Sequence, residues 1–245
     1  MIEIPSFNEL IEKSIVNNWD KDALTDFKGA TLQYHDVARK IEKLHIMFES
    51  SGVQRGDKIA LCGRNSSNWA VAFLATLTYG AVAVPILHEF TADQIHNIVN
   101  HSEAKLLFVG DYVATIIDQT KMPDLEGIIY IPDYSLVVSR TDKLTYAREH
   151  LNAMFGEKYP KFFRKEHVHY YREQSPEELA LINYTSGTTG FSKGVMIPYR
   201  AMWSNYDFAM TAVAKHIKKG DNVISILPMA HMYGMAFEFL FEFLF

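Results

Sequence analysis

The chain has 245 residues, is 48% hydrophobic and carries a net charge of −5, enough apolar content to bury a sizeable core in one or two domains. That charge gives no electrostatic reason to approach nucleic acid, and no lysine-rich or arginine-rich stripe offsets it. A single cysteine, Cys62, excludes an intrachain disulfide and suits a reducing compartment.

The start, Met1-Ile2-Glu3-Ile4-Pro5, has neither the basic nor the long apolar region of a secretory signal, so cytoplasm is the default expectation. Residues 58–62 read as a strand, which places Cys62 in a buried strand rather than at a nucleophilic site. Residues 69–87 hold no charged side chain and are long enough to raise the question of a membrane span. Gly80 and Pro85 interrupt the run, so it reads as a buried helix over 67–79 feeding a buried strand over 81–84. Thr91-Ala92-Asp93-Gln94 is a capping-box start, with Ile95, Ile98 and Val99 at helical spacing behind it. Residues 105–109 and 127–131 are further strands, bounded by Gly, Pro or Asp. Strands alternating with helices predict an α/β fold with layered, largely parallel sheets flanked by helices.

From residue 134 the character turns aromatic and charged, with 143–155 helix-like. We read 1–175 as a first α/β subdomain with a surface excursion over 134–175, and 176–245 as the start of a second. Lys161-Phe162-Phe163-Arg164-Lys165 is the basic cluster of the chain; a solvated surface is the plain reading, a peripheral membrane or acidic-ligand contact the other. Ser175-Pro176-Glu177-Glu178 reads as a helix cap with proline at the first helical position. A helix over 199–215 and a strand over 221–227 follow. The last nine residues, Phe237 to Phe245, are apolar except for Glu238 and Glu242, which as a helix leave one narrow polar stripe. Such a surface needs covering, and left bare it predicts self-association or disorder of the tail.

The chemistry concentrates in Tyr184-Thr185-Ser186-Gly187-Thr188-Thr189-Gly190-Phe191-Ser192-Lys193-Gly194, directly after the apolar stretch at 179–183. Glycines let successive N–H groups turn into one concavity, hydroxyls donate further hydrogen bonds, and a lysine adds a mobile positive charge. Phosphate is the anion such a loop suits. A Walker A loop needs glycine before the lysine and Ser/Thr after it, whereas here Ser192 precedes and Gly194 follows, which disfavours a P-loop phosphotransferase. Ser186 lies in Thr-Ser-Gly rather than a G-x-S-x-G elbow, so a hydrolase fails at the motif. His167-Val168-His169 and the pair His96 and His101 invite a metal, but no third ligand at sensible spacing joins them and no metal is assigned.

The order hydroxyl-hydroxyl-Gly-Thr-Thr-Gly-x-x-Lys-Gly resembles the signature of the adenylate-forming superfamily, with Ser192 where that family usually has a stiffening proline. Two other stretches resemble it in the family's order: Gly52 to Leu61 with Asn65-Ser66-Ser67-Asn68-Trp69 and Gly80 to Pro85 upstream, and Gly220 to Gly234 downstream. The resemblance implies the N-terminal part of the large domain of an acyl-CoA synthetase, which forms an acyl-adenylate from a carboxylate and ATP with Mg2+, then passes the acyl group to coenzyme A. It implies that Thr185, Ser186, Gly187, Thr188, Thr189, Gly190 and Lys193 hold phosphates, and that His231, Tyr233 and Gly234 border the acyl pocket. A fatty acid is the favoured substrate; an amino or aryl acid, or a non-catalytic nucleotide-binding module, is the alternative. Such enzymes are about twice this long, and their magnesium glutamate, ribose aspartate and catalytic lysine are expected beyond Phe245, leaving this chain inactive alone. The resemblance also favours a helix for the tail.

Overall fold

A seven-stranded sheet organises the chain, and the computed structural model describes it through residues 5–185 and 193–245. Helix α1 (Phe7–Asn17), a two-stranded antiparallel ribbon of β1 (Asp22–Thr25) and β2 (Thr31–Gln33), and helix α2 (Tyr34–Ser51) come first. The alternating run is β3 (Lys58–Cys62), α3 (Ser67–Tyr79), β4 (Val82–Ile86), α4 (Ala92–Ser102), β5 (Ala104–Val109), α5 (Asp111–Ile116) and β6 (Gly127–Tyr130). Strand β7 (Leu136–Ser139), helices α6 (Asp142–Glu149) and α7 (Leu151–Lys158), strands β8 (Leu179–Thr185) and β9 (Lys193–Pro198) and helix α8 (Tyr199–Ala212) follow. The sheet order is β7-β6-β5-β3-β4-β8-β9, parallel through the five inner strands and antiparallel at both edges. The predicted α/β class holds, with mixed rather than purely parallel edges.

The strand period of two divides the interior. Ile59, Leu61, Leu106, Phe108 and Ile129 enter one core, which the residues of α1, α2 and α3 fill. Ala60, Cys62, Leu107, Val109 and Ile128 enter the other, beneath α4 and α5. Both faces of the inner strands are therefore apolar, the expected composition of a covered parallel sheet.

Helix α3 occupies the span its sequence predicts. The Ser66 hydroxyl accepts the Trp69 N–H at 3.1 Å and begins it. Gly80 ends it at φ 86°, where an added Cβ would also lie 2.7 Å from the Tyr171 ring. Trp69 through Leu77 are fully buried, so the charge-free run is core. No helix among the described residues is long and apolar enough to cross a membrane.

Three local expectations change. Residues 175–178 form a turn rather than a helix start, because the carbonyls of Pro176 and Glu178 accept the first N–H groups of α8, from Arg200 (2.8 Å) and Tyr199 (3.0 Å). The helical stretch near 143–155 is two helices, α6 and α7, meeting at His150. Beyond them residues 170–173 strap the chain to its start: Tyr171 donates to the Thr78 carbonyl at 3.0 Å, Arg172 pairs with Glu12 at 2.7 Å, and Glu173 accepts from Ser6 and the Phe7 N–H. Residues 221–227 form no ladder among the described residues; the N–H groups of Ile226 and Leu227 both donate to the Glu238 carboxylate at 2.8 Å, and Ile224 and Ile226 are 80% and 79% exposed.

The tail is helical as expected, a π-helical stretch over Gly234–Leu240 leading into α9 (Phe241–Leu244). Its cover is internal, however. Phe239, Phe241, Phe243 and Leu244 are buried, and the Phe243 carbonyl accepts from Ser14 (2.6 Å) and Tyr34 (2.9 Å). The bare phenylalanine patch that predicts self-association or a disordered tail is not formed.

Candidate active site

Strands β8 and β9 make a hairpin at the sheet edge, and its last register pair sets Thr185 opposite Lys193. Both residues are exposed, at the end of the ladder where the chain passes from β8 to β9. Thr185 ends a strand that runs parallel to β4, so the pair sits at the carboxyl edge of the parallel strands, where open α/β sheets bind ligands. Ser186, Gly187, Thr188, Thr189 and Gly190 lie outside the described residues. Just before them Tyr184 is buried, and its hydroxyl meets His101 Nδ1 at 2.7 Å.

The turn carrying His231 is tied to the same strand. Buried Asn183, two residues before Thr185, donates from Nδ2 to the Ala230 carbonyl at 3.0 Å. The His231 N–H donates to the Pro228 carbonyl at 2.9 Å, and the Tyr233 N–H donates to His231 Nδ1 at 3.2 Å. Nδ1 is therefore an acceptor, which leaves Nε2 to carry the proton of the neutral ring. His231 and Tyr233 are exposed, whereas Gly234 is buried. A Cβ on Gly234 would come 2.6 Å from the Pro228 carbonyl oxygen, so this glycine closes the turn through its backbone. Below the turn an apolar seam lined by Phe7, Met202, Tyr206, Met232, Met235 and Leu240 encloses about 10 Å³, barely the room of one water.

A larger space opens where β3, β5 and β6 end. From β3 the chain crosses to β4 on one side, and from β5 it proceeds to β6 on the other. This reversal of direction is the switch point at which doubly wound sheets form a crevice. Here the crevice is about 430 Å³ and includes Arg64, Asn65, His88, Asp111 and Tyr112. Its floor depends on two glycines: a Cβ on Gly63 would lie 3.2 Å from the Gly110 nitrogen, and one on Gly110 would lie 3.1 Å from the Gly63 Cα. Cys62, directly beneath, is buried, and burial pushes its thiol far above the usual range. It is a packing residue.

Among the described residues no group of three His, Cys, Asp or Glu side chains could hold a metal ion, so they do not fit Mg2+ by themselves. His96 accepts the Asp118 N–H at Nε2 (2.8 Å), and His167 Nδ1 accepts the Arg164 N–H (2.9 Å).

Residues 11–244 match the AMP-binding enzyme family, and the chain belongs to it. It is 25% identical over 208 residues to long chain acyl-CoA synthetase 3 of Arabidopsis thaliana, covering 84% of this chain and 31% of that protein. It is 23% identical to a long-chain-fatty-acid–CoA ligase of Bacillus subtilis (95% of this chain, 44% of that protein). It is 26% identical to a 4-chlorobenzoate–CoA ligase of Arthrobacter (86% and 36%). The chain thus spans less than half the length of these relatives. Among solved structures, a red-emitting luciferase of Phrixothrix hirtus superposes with a TM-score of 0.80 at 18% identity, over 100% of this chain and 45% of that one. The inhibitor-bound N-terminal domain of FACL13 from Mycobacterium tuberculosis gives 0.76 at 20% identity, over 98% and 55%. These likenesses show the fold of the N-terminal part of an adenylate-forming enzyme.

Sequence reasoning singled out Thr185, Lys193, His231, Tyr233 and Gly234, and the structure ties the first two and the last three to one strand. Sequence reasoning gives no site role to Asn183 and Glu238, which hold the turn, or to the crevice residues, although Asn65, Ser66 and Asn68 stand in one of the family-like stretches. A polar side chain within an otherwise apolar strand, as at Asn183, is the signal that could have found the first.

Proposed function

We propose that the chain supplies the phosphate end and part of the carboxylate end of an ATP-dependent acid–thiol ligase. The observation that carries this reading is the β8–β9 hairpin: Thr185 and Lys193 are paired where the chain passes from β8 to β9, and Asn183 fastens the His231 turn to β8. A carboxylate is a poor electrophile, so its oxygen attacks the α-phosphorus of ATP, the bond to the β-phosphate bridging oxygen breaks, and pyrophosphate leaves with the electron pair. The thiolate of coenzyme A then displaces AMP. Such a reaction needs its reactants positioned and the charge moving onto pyrophosphate neutralised.

In this reading Thr185, Ser186, Gly187, Thr188, Thr189 and Gly190 hold the β- and γ-phosphates through N–H and hydroxyl donors, and Lys193 adds positive charge. His231 and Tyr233 border the acyl group, and Gly234 lets the turn close behind them. Mg2+ would enter only bound to the ATP phosphates, where it would supply positive charge, since the described residues offer no set of three ligands for it. The switch-point crevice, large and edged by Arg64 and His88, suits the nucleotide end of coenzyme A. A fatty acid is the proposed substrate, supported by relatives named for long-chain acids; the flexible methionines of the seam can repack around an acyl chain. The small seam and the 4-chlorobenzoate relative favour an aryl acid as second reading. The setting is cytoplasmic, and the 245 residues alone do not complete the cycle.

Carboxylate-dependent exchange of labelled pyrophosphate into ATP, over a panel of fatty and aryl acids, tests the activity in an enzyme containing this chain. Lys193→Ala should slow exchange at least tenfold with the fold intact, and unchanged exchange would sink the phosphate assignment. Robust acyl-CoA formation by the 245-residue chain itself would overturn its proposed insufficiency.

A further inference from the structure

One side chain touches both the switch-point crevice and the His231 turn. Asn65, half-buried in the connection from β3 to α3, lines the crevice. Its Nδ2 donates to the Leu227 carbonyl at 2.8 Å and reaches Ser225 Oγ at 3.4 Å, while its Oδ1 accepts the Met229 N–H at 2.8 Å. The two backbone partners fix the amide's orientation, since the Leu227 carbonyl can only accept and the Met229 N–H can only donate. Between them lies Pro228, whose carbonyl accepts the His231 N–H. The carboxamide therefore brackets the residue that starts the turn.

The contact is also one that few side chains can make. Aspartate would set a carboxylate against the Leu227 carbonyl; serine is too short to span two backbone groups; alanine leaves both bare. Among the described residues nothing else holds these two groups: Glu238 takes the Ile226 and Leu227 N–H groups, and Asn183 takes the Ala230 carbonyl. Residues 221–227 form no ladder among the described residues, so the placement of the turn after them rests on such side-chain bonds.

We propose that Asn65 is a positioning residue that sets the His231 turn from the wall of the crevice, so that a ligand in the crevice and the placement of the turn are coupled through one carboxamide. The proposal rests on the reading of crevice and turn as two ends of one site. Coupling of this kind is reciprocal: whatever steadies Asn65 from the crevice side steadies residues 225–231, and the converse. It gives the site a way to sense whether the crevice is filled before the turn receives its group.

Amide hydrogen exchange on the 245-residue chain, with coenzyme A as probe, tests this. Without ligand, Asn65→Ala should speed exchange of the Met229 amide at least tenfold while the amides of β3 and β4 keep their protection. Asn65→Asp, which keeps an acceptor for the Met229 N–H but turns a carboxylate oxygen towards the Leu227 carbonyl, should restore the Met229 protection only in part. Coenzyme A should slow exchange both at 110–113 and at 225–231 in the unaltered chain, and only at 110–113 in Asn65→Ala. Unchanged Met229 exchange in Asn65→Ala, or equal slowing of 225–231 with and without Asn65, would overturn the proposal. Slowing at 110–113 that never reaches 225–231 would overturn it as well. No effect of coenzyme A at 110–113 would instead remove the crevice assignment of the preceding section, and the coupling with it.

Discussion

Phe243→Ala measures whether the apolar terminus is part of the core. Phe243 is 4% exposed, its ring centroid lies 4.9 Å from that of Tyr34 and 6.3 Å from that of Phe239, and its backbone carbonyl is held by Ser14 and Tyr34. Truncating a buried phenylalanine costs roughly 3–5 kcal/mol, and loss of the Tyr34 ring pair falls within that figure. The backbone bonds survive the substitution and the chain end can relax into the gap, so the lower end, about 3 kcal/mol, is expected. For a chain of this size that corresponds to a fall in Tm of about 6–12 °C. Urea unfolding should show a lower midpoint with an unchanged slope, since the surface exposed on unfolding scarcely differs. Phe27→Ala is the internal control: Phe27 is 91% exposed, and its loss should change stability by no more than about 0.5 kcal/mol. If Phe243→Ala costs less than about 1 kcal/mol, the tail is not packed as described and the expectation of a bare, sticky terminus returns.

Acid should destabilise the protein through His45. Its ring donates from Nε2 to the Ala75 carbonyl at 3.0 Å, and burial lowers its pKa from 6.5 to about 4. The folded state thus favours the neutral ring: the stabilisation is fully present above pH 6.5, and is lost as the pH falls from there towards 4. At most about 3 kcal/mol is involved, and His45→Gln, which keeps a donor for Ala75, should flatten the stability profile over that range in denaturant titrations. Gly80→Ala forces a left-handed residue with a Cβ 2.7 Å from the Tyr171 ring. A loss of at least about 2 kcal/mol is expected, and a neutral result by calorimetry would contradict the placement of the 170–173 strap.

Where sequence reading succeeded, local chemistry and tertiary packing agree. Ser66 and Gly80 bound α3, and Thr91 with Gln94 forms the reciprocal cap of α4, because each signal is satisfied by neighbours three or four residues away. Where it failed, the deciding partner is distant in sequence. Pro176 reads as a helix opener, yet its carbonyl is claimed by Arg200, and a turn serves that contact better than a helix. The tail looked bare because its composition says nothing of its cover; Ser14 and Tyr34, more than two hundred residues earlier, supply part of it.

Residues 221–227 carry the same lesson into the site. Their β-branched content, Val223, Ile224 and Ile226, is a strand signal, but such a signal specifies a strand only where a neighbouring ladder is available. Here Glu238 and Asn65 stand in for that ladder, two N–H groups going to a carboxylate and one carbonyl to a carboxamide. Side-chain bonds fix fewer residues than a ladder does, so Val223, Ile224 and Ile226 remain exposed while the turn after them is held. The motif residues His231, Tyr233 and Gly234 are legible in sequence because they belong to the turn itself. Asn65 and Asn183, which place that turn against β3 and β8, are not, because an asparagine reveals what it bonds only once the sheet has brought its partners within reach.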